Sequence, residues 1–204
     1  TVDAGFRVWK PEFNFRLNAF VNSFSEMIVE KPGEYIYTFS TGPQAGTQDT
    51  LPALINSNVD QALIYGFDMK MDLQLTDRLV FYGSASFVRG KDAKNDENLP
   101  LIPPLNGRVG FKYQFLKDLS VNIYSQHYAE QDKIAEGETE TQGYSIYNLA
   151  IYSSPIDLNL ARLKLTGGIE NIFNRAYRNH LSTNRGSVKI EPGRNVFLKA
   201  QIQF

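Results

Sequence analysis

The 204-residue chain has no cysteine, no long hydrophobic run and almost no net charge, and each absence narrows what it can be. Without cysteine there is neither a disulfide framework nor a thiolate metal site, and the redox compartment stays open. No stretch reaches the roughly 18 consecutive apolar residues of a transmembrane helix. A membrane-spanning sheet survives that test, because lipid-facing and water-facing side chains alternate along each strand and cancel in any average. The mean hydropathy of −0.32 therefore leaves the surroundings of this chain undecided. A formal charge of −1 gives nucleic acid no reason to bind. Histidine is scarce, with only His127 and His180. The chain opens on Thr1 with no methionine and no signal-type apolar stretch, which fits a mature or truncated product.

Aromatic residues are abundant: 14 Phe, 11 Tyr and one Trp, a composition suited to strands. Apolar residues recur with period two. Leu63, Tyr65, Phe67, Met69, Met71, Leu73 and Leu75 share one parity, and Asp68, Lys70, Asp72 and Gln74 the other. Phe13, Phe15, Leu17, Ala19 and Val21 oppose Asn14, Arg16, Asn18, Phe20 and Asn22, and Val109, Phe111, Tyr113 and Phe115 oppose Arg108, Gly110, Lys112 and Gln114. The chain stops in the same way, with Val196, Leu198, Ala200, Ile202 and Phe204 against Phe197, Lys199, Gln201 and Gln203, three of those four polar. Segments 79–88 and 144–152 look like strands of ambiguous parity. Side chains alternate across a strand, so the pattern predicts about nine strands, each with one apolar and one polar face.

The connections alternate as well. Short turns at 10–12, 76–78 and 116–118 and a modest one at 153–162 are interleaved with long polar stretches at 25–61, 89–107, 127–143 and 172–193. Outer-membrane barrels keep short turns on the periplasmic side and long loops outside, whereas a soluble sandwich has no reason for that order. The expected fold is all-β, a transmembrane antiparallel barrel in a Gram-negative outer membrane. Closed bacterial barrels have an even strand number with both termini periplasmic, and an open sheet in lipid leaves costly unpaired edges. Nine strands therefore read as the carboxy-terminal portion of a larger barrel, with residues 1–204 all belonging to it and the remaining strands elsewhere.

The stretch Gly168-Ile169-Glu170-Asn171-Ile172-Phe173-Asn174-Arg175-Ala176-Tyr177, followed by Pro192-Gly193-Arg194 and the terminal Phe204, resembles the end of TonB-dependent outer-membrane receptors. In that family the penultimate strand runs into an Asn-Ile/Leu-Phe-Asn/Asp-x-x-Tyr segment, and Pro-Gly-Arg leads into the last strand. The resemblance implies a 22-stranded barrel around a plug that lies outside this chain. It implies import of a scarce nutrient such as an iron chelate, haem or cobalamin, powered through TonB. Its implied partners are the plug, TonB, the nutrient, lipopolysaccharide, a surface lipoprotein and the barrel-assembly machinery, which reads Leu198, Ala200, Ile202 and Phe204. The mixed-sign polar face suits a plugged lumen, as barrels of about 22 strands have. A passive porin and a non-transporting surface adhesin, gripping proteins with segment 25–61, are the alternatives.

Candidate ligand residues are few. His180, Arg178 and Arg185 fall in the stretch 172–193, and His127 and Tyr128 at the start of 127–143. Imidazole and guanidinium are the groups best suited to metal and anion contact. The bland reading is that they cap or pack within their loops. No nucleophile elbow, phosphate loop or metal-ligand spacing is present, so catalysis has no foothold, no cofactor is called for, and any metal is unspecified.

Overall fold

The computed structural model describes residues 1–186 and 188–203. Among these residues eleven antiparallel strands form a single sheet. They are β1 (Val2–Lys10), β2 (Phe13–Thr38), β3 (Gln48–Thr76), β4 (Leu79–Asp92), β5 (Glu97–Asn98), β6 (Asn106–Leu116), β7 (Leu119–Tyr128), β8 (Tyr144–Ser153), β9 (Ile156–Asp157), β10 (Arg162–Glu170) and β11 (Asn195–Gln203). The only helix among the described residues is α1 (His180–Asn184). Nine strands make an unbroken meander, β1-β2-β3-β4-β6-β7-β8-β10-β11, while the two-residue β5 and β9 pair with β4 and β10.

The register carries the apolar parity from strand to strand without a slip. Phe6 lies opposite Leu17, Leu17 opposite Met69, and Met69 opposite Ala85. Further along the sheet Phe111 faces Phe81 and Ile123, Ile123 faces Leu149, and Ile169 faces Leu149 and Val196. Directly paired residues share a face. One face is therefore aliphatic and aromatic over all nine strands, and its side chains stand exposed, Val196 at 72% and Leu198 at 79%. The other face carries Arg7, Arg16, Asp68, Lys70, Arg108, Lys112, Lys164 and Lys199. A wide apolar exterior on a folded sheet belongs in a hydrocarbon medium, and the polar face lines the lumen.

The register also settles the two ambiguous segments. Phe81, Ala85 and Phe87 continue the outer face of β4, and Tyr82, Ser84 and Ser86 the inner one. On β8, Tyr147, Leu149 and Ile151 point out, whereas Tyr144, Ile146, Asn148 and Ala150 point in and are buried. Aromatic residues on the inner face have a specific use. Phe197 lies against its register partner Gly168, where a Cβ would come within 2.8 Å of the ring, and so covers backbone that glycine leaves bare.

Leu198, Ala200 and Ile202 of the expected assembly signal lie on the outer face of β11, and Phe204 lies outside the described residues. The 116–118 turn and the 76–78 turn share one construction, a register shift just before the turn, and in the latter Thr76 Oγ1 accepts from Arg78 N at 3.3 Å and Leu79 N at 3.1 Å.

The expected loop 25–61 is corrected by the structure. β2 and β3 run on past the rest of the sheet and stay paired out to Thr38 and Gln48, so only 39–47 is loop. Thirteen further residues of β3 beyond Gln61 rise about 40 Å at 3.3 Å per residue. This ribbon carries exposed Ile28, Tyr35, Ile36, Leu51 and Leu54. Pro32 pairs with Leu54 and Pro52 with Glu34, two residues apart in register and hence in the same ladder phase, the phase in which a nitrogen faces away from the partner strand.

The two faces should respond oppositely to charge. Leu165→Arg, on the outer face near mid-height, should cost roughly 2–4 kcal/mol of stability in a bilayer, and the adjacent inner-face Thr166→Arg far less. Denaturant titration of each variant in the full receptor, refolded into vesicles, checks this; equal costs would remove the assignment of faces.

Candidate functional site

Four connections lie at one end of the sheet, and three of them, 93–105, 129–143 and 171–194, meet beside the base of the ribbon. The last begins with the Asn-Ile-Phe-Asn stretch, which is a locked turn. Asn171 and Asn174 both adopt positive φ, 51° and 52°, a conformation asparagine tolerates. Asn171 Oδ1 accepts from Arg175 N at 2.9 Å, its Nδ2 donates to Arg175 O at 2.8 Å, and its own N–H donates to Asn148 Oδ1 at 3.0 Å. Asn174 Oδ1 accepts from Arg194 N at 2.9 Å, and a Cβ on Gly193 would lie 2.5 Å from that oxygen. The Pro-Gly-Arg segment is thus clamped onto the turn it returns to, so both ends of the long loop are fixed at one point.

Inside that loop Asn179 caps α1, its Oδ1 accepting from Leu181 N and Ser182 N. The cap places His180 inward, 2% exposed, against loop 129–143. Nδ1 of His180 lies 3.2 Å from Thr141 Oγ1 and 3.1 Å from Asn184 Nδ2, and Nε2 lies 3.8 Å from Glu138 Oε1. A neutral ring with its proton on Nε2 satisfies these contacts. Asn184 adds a two-pronged bond to the Thr139 backbone, accepting from N at 2.6 Å and donating to O at 3.1 Å. Glu138 reaches the third loop: Oε1 accepts from Leu101 N at 2.7 Å, while Oε2 accepts from Ala135 N at 3.0 Å. One carboxylate and one imidazole therefore tie three loops together.

Beside this knot an aromatic ladder descends the inner wall. Tyr128 stacks on Tyr144 at 4.6 Å, and Tyr144 leans on Tyr177 at 4.5 Å. A recess of about 430 Å³ opens there, lined by Glu140, Tyr144, Arg175, Tyr177, Arg178 and Ile190 among others. Burial, aided by Glu191, pushes the Tyr177 phenol up, so it stays a neutral donor.

The expected residues thus separate. Arg178 lines the recess and Tyr128 backs it. His180 is buried in the knot. Arg185 is exposed and closes α1 through its backbone N–H to Leu181 O. His127 points the other way: it shares the outer face with Ser125 and Ser145, whose hydroxyls lie 2.8 Å from its two ring nitrogens, and its ring meets Tyr147 edge-on. Tyr144, Thr141 and Asn184 were not singled out from the sequence. Asn184 stands four residues after His180 behind an Asn cap, a helical spacing that could have marked the pair.

A family model described as TonB dependent receptor-like, beta-barrel, matches residues 1–172. The chain belongs to this family. Its members are transport receptors rather than enzymes, and outer-membrane β-barrels. Among curated relatives, heme/hemopexin utilization protein C of Haemophilus influenzae is 28% identical over 149 residues, 72% of this chain and 20% of that protein. The chain thus spans about a fifth of the length of the curated relatives it matches. Among solved structures, the copper transporter OprC superposes with a TM-score of 0.77 at 24% identity, over 99% of this chain and 30% of that one. The siderophore receptor PirA from Acinetobacter baumannii gives 0.66 at 18% identity, over 98% of this chain and 31% of its own. For this TonB-dependent receptor barrel, those likenesses establish the wall's architecture.

The buried imidazole makes the knot sensitive to acid. Burial holds the His180 pKa below its ordinary value, against an opposing pull from Glu138. A group whose folded pKa is depressed contributes its stability above the ordinary value, near 6.5, and loses it as pH falls toward the folded pKa. Amide exchange in 138–141 and 180–184 of the full receptor should therefore rise relative to the strands between about pH 7.5 and pH 5. His180→Gln should flatten that difference; an unchanged pH dependence in the variant would place its origin elsewhere.

Proposed function

We propose that residues 1–204 form the carboxy-terminal portion of the barrel of a TonB-energised outer-membrane receptor that imports a scarce nutrient into a Gram-negative bacterium. The plug and the TonB-contacting segment belong, in this reading, to the rest of the receptor. The observation that carries it is the family match over residues 1–172 on a sheet whose lumenal face holds the charged and amide side chains. The rim recess supports a ligand class. Arg175 and Arg178 offer two permanent cations, and the Tyr128, Tyr144, Tyr177 ladder offers flat faces and phenol donors. Such a recess suits an anionic chelate or macrocycle with an unsaturated ring system, such as haem or an aromatic siderophore complex of iron. His180, locked among Glu138, Thr141 and Asn184, then shapes the recess, and Arg185 and His127 lie away from it. The loop charges also suit lipopolysaccharide and its divalent cations, with the acidic set on 129–143 and the basic set on 171–194. The alternating β11, with the terminal Phe204 of the sequence after it, is the segment offered to the barrel-assembly machinery.

A second reading draws on the ribbon. Its exposed Ile28, Tyr35, Ile36, Leu51 and Leu54 suit contact with an extracellular protein, as in an adhesin.

Cells expressing the full receptor test both readings. Uptake of haem or of a ferric siderophore should support growth under iron limitation and should vanish when TonB is deleted, while surface binding persists. Uptake indifferent to TonB would mean a porin, and surface adhesion with no uptake an adhesin. Arg175→Ala combined with Arg178→Ala should weaken surface binding of the transported chelate about tenfold or more, roughly 1.4 kcal/mol or above, at normal surface expression. Unchanged affinity would move the ligand site off this recess.

A further inference from the structure

The inner face of β1, β2 and β3 carries an arrangement that hydrogen-bonded sheets avoid. Arg7 lies directly opposite Arg16, and Arg16 directly opposite Lys70. Paired side chains on adjacent antiparallel strands stand about 5 Å apart at Cβ, where like charges repel. The row continues through Ser84 to Arg108, but that guanidinium is already engaged, 3.8 Å above the Tyr124 ring. Lys70 has only a long contact to Asp72, 3.8 Å, and its side chain remains 61% exposed. Among the described residues neither Arg7 nor Arg16 meets a carboxylate. Their neighbours along each strand on the same face are uncharged, Gly5 and Trp9 for Arg7, Asn14 and Asn18 for Arg16.

The row rims a recess of about 570 Å³, floored in part by the small residues Gly5, Ser84 and Ser86; Asp68 lines it too and flanks Lys70 with Asp72, which leaves three cations against two carboxylates. Small side chains between cations make a seat for groups that protrude from something else. Arg7 and Arg16 lie three residues from the strand ends at Lys10 and Phe13, about 10 Å of chain from the short-turn end. That depth is far from the rim, so a ligand arriving from the loop side does not land there first.

We propose that this row is the docking site for an acidic segment of the plug, with at least two Asp or Glu carboxylates seated between Arg7, Arg16 and Lys70. The proposal rests on the receptor reading above, since the occupant is the domain that fills the lumen in that reading. Charge complementarity selects it: guanidinium groups bind carboxylates in pairs of bonds, and a carboxylate placed between two paired cations removes their repulsion. Such contacts hold a plug at low ionic strength and yield when several are broken together.

The full receptor in native outer membranes, treated with a carbodiimide, tests this directly. The reagent joins a lysine amine to a carboxylate within contact distance, and Lys70 is the row's reactive amine. Peptide mass spectrometry should find Lys70 joined to an Asp or Glu upstream of Thr1. The yield should fall several-fold in Arg7→Gln with Arg16→Gln, with the barrel still heat-modifiable, and the link should vanish in Lys70→Arg. If Lys70 joins only Asp72 or Asp68, or nothing, while the upstream domain is protease-protected inside the lumen, the docking proposal is overturned and the receptor reading stands. If no upstream domain is protected and the protein conducts ions as an open pore, the receptor reading itself is overturned.

Discussion

The structure depends on one constraint, an inter-strand ladder whose register keeps its parity between the short turns and the loops. In lipid every backbone N–H and C=O must find its partner in the neighbouring strand, because no water is available to take its place. A slip of one residue in any of the eight through-going pairings would put Lys70 or Lys112 toward the hydrocarbon and Met69 or Phe111 toward the lumen. The chain meets the constraint by placing its irregularities at the ends. Register shifts sit beside the short turns, at Gln74/Thr76 and Gln114/Leu116, and the positive-φ asparagines sit where β10 leaves the sheet. One further irregularity, Glu26 at positive φ and unpaired with Asp60, sits where the ribbon leaves the sheet, so within the wall the outer surface can be greasy without ambiguity about which way it faces.

Much of this was legible in the amino-acid order because a wall with lipid on one side and water on the other imposes alternation residue by residue. β3 from Leu63 to Leu75 is the clearest case. Where the environment differs, the signal fades. On β8, Ile146 and Ala150 point inward and yet are buried, so both parities look apolar. On β4, Gly83 and Ala85 on the outer face are too small to stand out against Val80 and Tyr82. The ribbon looks like loop in the sequence because beyond Ser25 and Gln61 the sheet ends and no lipid-facing row continues. Its base is packed instead on the loop at Leu99 through Val29 and Val59, its outer part is exposed and has no reason to alternate, and Pro32, Gly33 and Pro52 look like loop residues. Its pairing to Thr38 and Gln48 is a property of two strands together.

The rim was less legible, for a reason of distance along the chain. Rarity drew attention to His180 as a ligand candidate, but its partners Glu138 and Thr141 lie about forty positions away. Nothing local shows that the imidazole turns inward to a carboxylate. The Tyr128, Tyr144, Tyr177 ladder is likewise assembled from two strands and a loop. The Asn-Ile-Phe-Asn turn behaved otherwise. Its resemblance to a family motif has a local physical basis, two asparagines in left-handed backbone that clamp the returning Pro-Gly-Arg, so the pattern survives in sequence.

The prolines of the ribbon have a consequence for how such barrels share a crowded surface. An extended two-stranded element projecting into the medium offers neighbouring molecules a ready template for strand addition, and the resulting stacks would be hard to reverse. Pro32 on one margin and Pro52 on the other each delete a donor from the outward row, and Glu30, Glu34 and Asp49 add repulsion between identical copies. The ribbon can then stay long, sticky on its faces and solitary along its margins, so that many copies stand side by side without zipping together.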